Sequence, residues 1–161
     1  MRKTIDETRG LNLRVEDTDD LSAASAYVQD AILRVGDIAF LARKHRLALS
    51  LNRFCWERPP EKLGGKTVYR RVTAGLHFET VLSVKTKGIV RHDPEALLYV
   101  LAIKFEPADA TGTIEISFAG GATLRAEVEA IEGVLRDVDT GWLTDSKPEH
   151  EGSHGGREGR P

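Results

Sequence analysis

His77 and Glu79, two residues apart, are the side chains whose spacing best suits a shared role in binding or acid–base chemistry. They alternate with the apolar Leu76 and Phe78, and such alternation is typical of a half-buried strand that projects every second side chain to its polar face. An imidazole beside a carboxylate can accept and donate protons near neutral pH. We therefore expect His77 and Glu79 to point at the same ligand, if the protein has one.

Three arginines could complete this group. Arg53, Arg70 and Arg71 fall in neighbouring strand patterns, and a guanidinium group binds carboxylates and phosphates through paired hydrogen bonds. Brought beside His77 and Glu79, they would form an anion-binding or acid–base cluster. The competing interpretation is a solvent-facing strand surface with cross-strand ion pairs, each worth less than about 1 kcal/mol. We favour the solvent-facing surface, and we name this face as the first place to look for a site.

Cys55 is the single cysteine of the chain. One cysteine excludes an internal disulfide and a cysteine-rich metal site. A catalytic thiol needs a neighbouring base or cation to ionise it, and His77 could supply one only if the fold brought the two together. Because Cys55 stands between Phe54 and Trp56, we interpret it as a small buried apolar residue.

Two further motifs match known sites only in part. The segment Gly65–Thr67 lacks the glycine that a phosphate-binding loop carries five positions earlier, where this chain has Pro60, and a strand pattern follows it instead of a helix. Asp137 and Asp139 lack the third acidic ligand and the closing glutamate of a calcium loop. The sequence therefore predicts no catalytic residue, no metal and no cofactor.

The composition is that of a globular protein. The 161 residues are 40% hydrophobic and 30% charged, which excludes a wholly disordered or collagen-like chain. With 23 Lys and Arg against 25 Asp and Glu, the net charge of −2 supplies no positive field for nucleic acid. The basic run at residues 43–46 has no interleaved aromatic residues, so we do not expect a nucleic-acid partner.

The chain shows no targeting or membrane pattern. Residues 1–10 are polar apart from Met1 and Ile5, and the longest apolar run, residues 97–103, has only the length of a strand. We therefore expect a cytoplasmic protein without membrane contact. Nothing apolar follows Leu143, which predicts one globular domain over residues 10–145 and a disordered polar tail over residues 146–161.

The elements that must position these residues are mostly strands. About six strand patterns joined by short turns predict an antiparallel sheet. A helix is expected at residues 21–31, after the acidic run at residues 17–20, and another at residues 127–139, where four apolar residues follow helical spacing. The predicted fold class is α+β: a curved antiparallel sheet or partly open barrel, compatible with a pleckstrin-homology-like barrel, with an N-terminal helix and a C-terminal helix.

One strand pattern changes face along its length. A row of alternating leucines ends at Leu51, whereas Phe54 and Trp56 continue the apolar pattern on the other parity. A strand cannot change face without an extra residue. We therefore expect a bulge, or the end of strand pairing, near Asn52.

Six phrases of the sequence, taken in order, carry a resemblance to a known family. They are Val28–Ala31, Asn52–Glu57, Gly75–Glu79, Leu101–Glu106, Phe118–Gly121 and Val128–Glu132. Together they resemble a family of bacterial proteins of unknown function, the domain-of-unknown-function family 2948, over nearly all of residues 10–145. This family has no established activity, so the resemblance implies no catalytic residue and no substrate.

These observations predict a small, non-enzymatic, protein-binding or scaffolding module. Its contact surfaces would be the sheet edges and the exposed face around Arg53, His77 and Glu79, and its ligand a partner protein or a second copy of the chain. The alternative is a small enzyme or an anionic small-molecule binder that uses Arg53, Arg70 or Arg71, with His77 as the acid–base group. A third alternative is a subunit needed only for assembly, which a large exposed apolar patch would indicate.

Overall fold

The computed structural model describes the backbone of residues 3–6 and all of residues 10–148. Strands make up 55% and helical turns 14% of the structure, so the protein is mostly β and the predicted α+β class is wrong. Of the polar tail predicted at residues 146–161, residues 149–161 lie outside the described residues, as do residues 1–2 and 7–9.

One α-helix and thirteen strands lie within the described residues. The helix α1 spans Thr18–Tyr27, and 3₁₀ turns lie at Val35–Asp37, Ala42–Lys44 and Ala119–Gly121. The strands are β1 (Lys3–Asp6), β2 (Gly10–Val15), β3 (Ile32–Arg34), β4 (Ile38–Leu41), β5 (Arg46–Phe54), β6 (Glu61–Leu63), β7 (Lys66–Phe78), β8 (Val81–Lys87), β9 (Leu97–Pro107), β10 (Gly112–Phe118), β11 (Thr123–Val128), β12 (Gly133–Asp137) and β13 (Trp142–Thr144).

Hydrogen bonds join these strands into one open antiparallel sheet. The strand order is β1-β2-β12-β7-β5-β3-β9-β10-β11-β8, with β4 also paired to β5, and β6 and β13 to β7. The helix α1 packs against both β2 and β9, which lie five positions apart in this order, so a flat sheet would separate them by about 24 Å. The sheet therefore bends around the helix and stays open, and it does not form the partly open barrel that was one of the two predicted shapes.

The inner face of the bent sheet and one side of α1 form a single apolar core. Phe78 of β7 and Phe118 of β10 come from different halves of the sheet, yet both are fully buried in the same cluster as Leu21 of the helix. The carboxylate of Asp17 caps the helix by accepting a hydrogen bond from the backbone N–H of Asp20, at 2.8 Å. The predicted role of the acidic run at the start of the helix is confirmed, although α1 begins and ends earlier than expected.

The helix predicted at residues 127–139 is wrong. Val128 ends β11, and the following strand β12 pairs with β2 on one side and with β7 on the other. The helical spacing of the apolar residues competes with a strand alternation in which Gly133 and Leu135 both face the core. A glycine inside a helix costs about 1 kcal/mol relative to alanine, whereas two flanking strands satisfy the backbone groups of β12 on both sides.

Strand β5 keeps a single face where a change was expected. Its pairing with β7 runs in regular register from Leu47 opposite Phe78 to Phe54 opposite Arg71, so there is no bulge at Asn52; the strand and its pairing end two residues later, at Phe54, as the other alternative predicts. The row of inward-facing leucines therefore continues into Arg53. A charged side chain occupies a position that the pattern of the strand reserves for the core.

A sharp corner at Glu79 and Thr80 separates β7 from β8. The strand β8 pairs with β11 and not with β7, so β7 and β8, although consecutive in the chain, lie in different halves of the sheet. Thr80 has a left-handed backbone, with φ of 58°, and its hydroxyl exchanges hydrogen bonds with the backbone of Ala130 at 3.1 and 3.2 Å. These bonds tie the corner to the loop between β11 and β12.

We expect Gly133→Ala to destabilise the protein far more than Gly75→Ala. A Cβ atom at Gly133 would collide with the backbone oxygen of His77 and the ring of Phe78, whereas a Cβ atom at Gly75 would have no atom within 4 Å. Overpacking of this kind typically costs about 1–3 kcal/mol, while alanine at an unstrained glycine is neutral or slightly stabilising. Urea denaturation measures both variants, and equal free energies of unfolding would contradict the close packing at Gly133.

Candidate functional site

His77 and Glu79 lie together, as the sequence predicts. The Nδ1 atom of His77 is 2.8 Å from Oε2 of Glu79, and Nε of Arg46 donates to the same oxygen at 2.8 Å. His77 is about one-third exposed and Glu79 less so. Glu79 therefore orients the imidazole on the outer face of the sheet, with Nδ1 engaged and Nε2 left as the nitrogen that can meet a ligand.

Arg53 lies on the opposite face of the sheet from His77. Arg53 stands opposite the buried Val72 of β7, whereas His77 stands opposite Ala48 of β5 on the outer face. The side chain of Arg53 is completely buried. It therefore does not belong to an exposed face around His77 and Glu79.

Arg70 and Arg71 are also separate from His77. Arg71 shares the outer face with His77 but lies six residues along β7, which is about 20 Å of extended chain. Its Nη1 donates to the backbone and side-chain oxygens of Asn52 at 3.2 and 3.0 Å, while Arg70 donates to the backbone oxygen of Thr140 at 2.8 Å. The five residues singled out in the sequence do not form one cluster.

Arg53 is instead the centre of a buried ion network. Its Nε and Nη2 atoms donate to the two oxygens of Asp137 at 2.8 and 2.9 Å, and Nη1 and Nη2 donate to the two oxygens of Glu57 at 3.0 and 2.7 Å. Burial lowers the pKa of Arg53, but the hydrogen bonds and charges of Asp137 and Glu57 outweigh burial and raise this pKa above its ordinary value. The guanidinium group therefore stays charged within the fold.

Asp137 connects the network to the first part of the chain. Its Oδ2 accepts a hydrogen bond from the backbone N–H of Leu11 at 2.9 Å. The preceding Gly10 has a φ of 83°, and a Cβ atom there would press against the Asp137 side chain. Glycine is therefore the residue that lets the start of β2 approach the carboxylate.

Cys55 is buried beside this network and is not poised to react. Burial raises the pKa of its thiol to about 11, although the positive charge of Arg53 opposes the shift. A reactive cysteine needs the opposite shift, because the thiolate is the nucleophile. This placement supports the interpretation of Cys55 as a small buried apolar residue.

A shallow depression of about 260 Å³ opens on the outer face of the sheet at Gly75. Gly75 pairs with Ser50 on one side and with Arg136 on the other, and its missing side chain leaves the floor open. His77 and Arg136 supply the polar lining. The apolar lining residues are Ala48, Leu49, Leu76, Val134 and Val138.

Arg136 is the candidate that the sequence reasoning missed. The helix predicted at residues 127–139 offered no reason to pair it with His77, whereas on β12 it lies directly opposite Gly75 and diagonal to His77. Within residues 10–148 its guanidinium group has no hydrogen-bond or ion-pair partner. A period-two strand pattern was the sequence signal that could have placed Arg136 on the outer face, because Arg136 has the opposite parity to the inward-facing Gly133 and Leu135.

An apolar stripe is exposed on the outer face of β9. It consists of Leu97, Tyr99 and Leu101, whose side chains are 50%, 43% and 47% exposed. A register shift between β9 and β10 falls at Leu101, which the pairing skips between Val100 opposite Phe118 and Ala102 opposite Ser117, so that the next odd-numbered apolar residue, Ile103, is buried. The apolar residues that share one parity in the sequence therefore divide between solvent and core.

The described part of the chain contains neither a membrane-spanning helix nor a cluster of metal ligands. Its single helix, of ten residues, is too short to cross a membrane. Within residues 10–148, no three His, Cys, Asp or Glu side chains lie close enough together to hold a metal ion.

Replacement of Arg53 tests the buried network. We expect Arg53→Met, which keeps much of the side-chain volume, to lower the free energy of unfolding by about 3–5 kcal/mol, because Asp137 and Glu57 lose their shared counter-charge. The matched variant Arg125→Met breaks ion pairs with Glu106 and Glu115 on the surface and should change stability far less. Chemical denaturation of both variants gives the comparison. Equal losses in the free energy of unfolding would contradict a larger contribution of the buried network than of the surface ion pairs.

The pKa of Cys55 predicts how stability depends on pH. Above its ordinary pKa of 9.0 the thiol ionises in the unfolded chain, whereas the folded protein keeps it neutral up to about 11. The stability of the wild-type protein should therefore fall relative to Cys55→Ala as the pH rises from about 9 to about 11. Denaturation of both proteins across this range measures the effect, and a constant difference would contradict it.

The comparison with known proteins agrees with the resemblance carried by the sequence. Two of the phrases behind that resemblance meet in the fold, where Nε1 of Trp56 donates to the backbone oxygen of Gln29 at 3.0 Å. Residues 11–150 match the family described as "Protein of unknown function (DUF2948)". No curated protein and no solved structure matches the chain. The predicted family is confirmed: the chain belongs to the DUF2948 family of proteins of unknown function.

Proposed function

We propose that this protein is a non-enzymatic, protein-binding module of the bacterial cytoplasm that contacts its partner through the outer face of its sheet. The observation that carries the proposal is the apolar stripe of Leu97, Tyr99 and Leu101 on β9. Large apolar side chains that share one face of an inner strand and remain exposed are typical of a contact surface.

The surroundings of the stripe fit this role. Arg34, which stands opposite Leu97 on β3, is paired with Asp37 and Glu95 at the surface. Further along β9, Glu106 accepts a hydrogen bond from Arg125 at 2.8 Å. An apolar centre with a rim of paired charges is the usual anatomy of a protein–protein interface.

The outer face is a better candidate than the sheet edge at β8. The strand β8 ends the sheet in the described structure, and its exposed Lys85 and Lys87 are of the kind that oppose the addition of another strand. The stripe has no such charges within it. We therefore assign the contact to side chains of β9, with a partner protein or a second copy of this chain as the ligand.

Substitution of the stripe tests this function. We expect the double variant Tyr99→Ser/Leu101→Ser to keep the circular dichroism spectrum but to lose the partner or the self-association, because the apolar contact area is removed. Leu82→Ser, on β8 and 39% exposed, is the matched control and should behave as the wild-type protein does.

The measurement combines a photo-crosslinking residue at position 99 with analytical ultracentrifugation of the purified protein. Crosslinks to one protein, which the purified partner reproduces, or a dimer that the double variant abolishes, would support the proposal. A monomer without specific crosslinks at position 99, or binding that the double variant leaves intact, would overturn it.

A further inference from the structure

We propose that the depression at Gly75 is a binding site for a small aliphatic carboxylate. The site is formed by strands β5, β7 and β12, with His77 and Arg136 as its polar groups. It lies apart from the apolar stripe on β9 and does not depend on the protein-binding function.

The charge of the site favours an anion. Arg136 lines the depression, and its guanidinium group has no partner within residues 10–148. The nearby carboxylate of Glu79 is already shared by His77 and Arg46 through one oxygen. The unpaired guanidinium group of Arg136 provides N–H donors for a carboxylate, and the imidazole of His77 adds a donor at Nε2 when it is protonated, because its Nδ1–H is held by Glu79.

The register of the strands places these donors at a suitable separation. Arg136 is opposite Gly75, and His77 lies two residues further along β7, next to Val134. Diagonal neighbours on antiparallel strands lie about 7–8 Å apart at the backbone. One oxygen of a carboxylate can therefore accept from the long side chain of Arg136 while the other accepts from the Nε2–H of the protonated His77 ring.

The size and walls of the site define the rest of the ligand. Val134, Val138 and Ala48 form an apolar lining, and Val138 is 58% exposed. The volume of about 260 Å³ is below the range of roughly 300–1,000 Å³ that holds larger ligands. A short branched or linear aliphatic group attached to the carboxylate fits this space.

Titration of the isotope-labelled protein, followed by NMR, tests the site. The probe is isovalerate, and parallel titrations at matched ionic strength use isovaleramide, inorganic phosphate and sodium chloride. We expect saturable shifts of the His77 and Arg136 side-chain signals with isovalerate, and binding at least tenfold weaker for the neutral amide and for phosphate.

Variants assign the binding to this depression. Arg136→Gln should weaken isovalerate binding at least tenfold, whereas Arg125→Gln, which removes an arginine from the distant strand β11, should leave it unchanged. Gly75→Val should abolish binding by filling the floor of the depression. We expect this variant to fold, because no atom lies within 4 Å of the added Cβ, and its amide spectrum checks the fold.

Three results would overturn the proposal. The first is no saturation with isovalerate up to about 10 mM, which corresponds to a negligible affinity. The second is equal binding of isovalerate and isovaleramide, or equal shifts with sodium chloride, because either would remove the role of the carboxylate. The third is phosphate binding as tight as that of isovalerate, which would assign the site to inorganic oxyanions.

Discussion

The pairing of Arg53 with Asp137 and Glu57 is the interaction on which the arrangement of the strands depends. Arg53 is fully buried, and a charge in such a position costs several kcal/mol unless opposite charges and hydrogen bonds compensate it. Both carboxylates bind it through two oxygens each. Because Asp137 also accepts from the backbone of Leu11, the end of β12, the start of β2 and the end of β5 must meet at one point.

This use of the inner face leaves the outer face for ligands. The core and the ion network occupy the side of the sheet that faces α1, together with the thiol of Cys55, whose pKa burial raises to about 11. Arg71 is held by Asn52, and burial lowers its pKa, against the opposing charge of Asp30. Residue types that look reactive in the sequence therefore have structural partners in the fold.

The two surfaces proposed for binding differ in their chemistry, although both lie on the outer face. The depression at Gly75 combines a guanidinium group that has no partner within residues 10–148 and an oriented imidazole with small apolar walls, which suits a compact anion. The stripe on β9 presents three large apolar side chains without an enclosing wall, which suits a broad protein contact. In the described sheet order, the three strands β7, β5 and β3 separate β12, which carries Arg136, from β9, so each surface can be altered without the other.

The sequence by itself determined the antiparallel sheet, the capped helix near its start, the pairing of His77 with Glu79 and the family, because each of these depends on neighbours in the chain or on local alternation. Only the tertiary structure decided where the long-range partners lie. Residues 133–137 form a strand because β2 and β7 flank them, and Arg53 turns inward because Asp137, 84 positions away, neutralises it. Local spacing carries no information on such distant partners, and for this reason Arg136 was missed and Arg53 was placed on the wrong face.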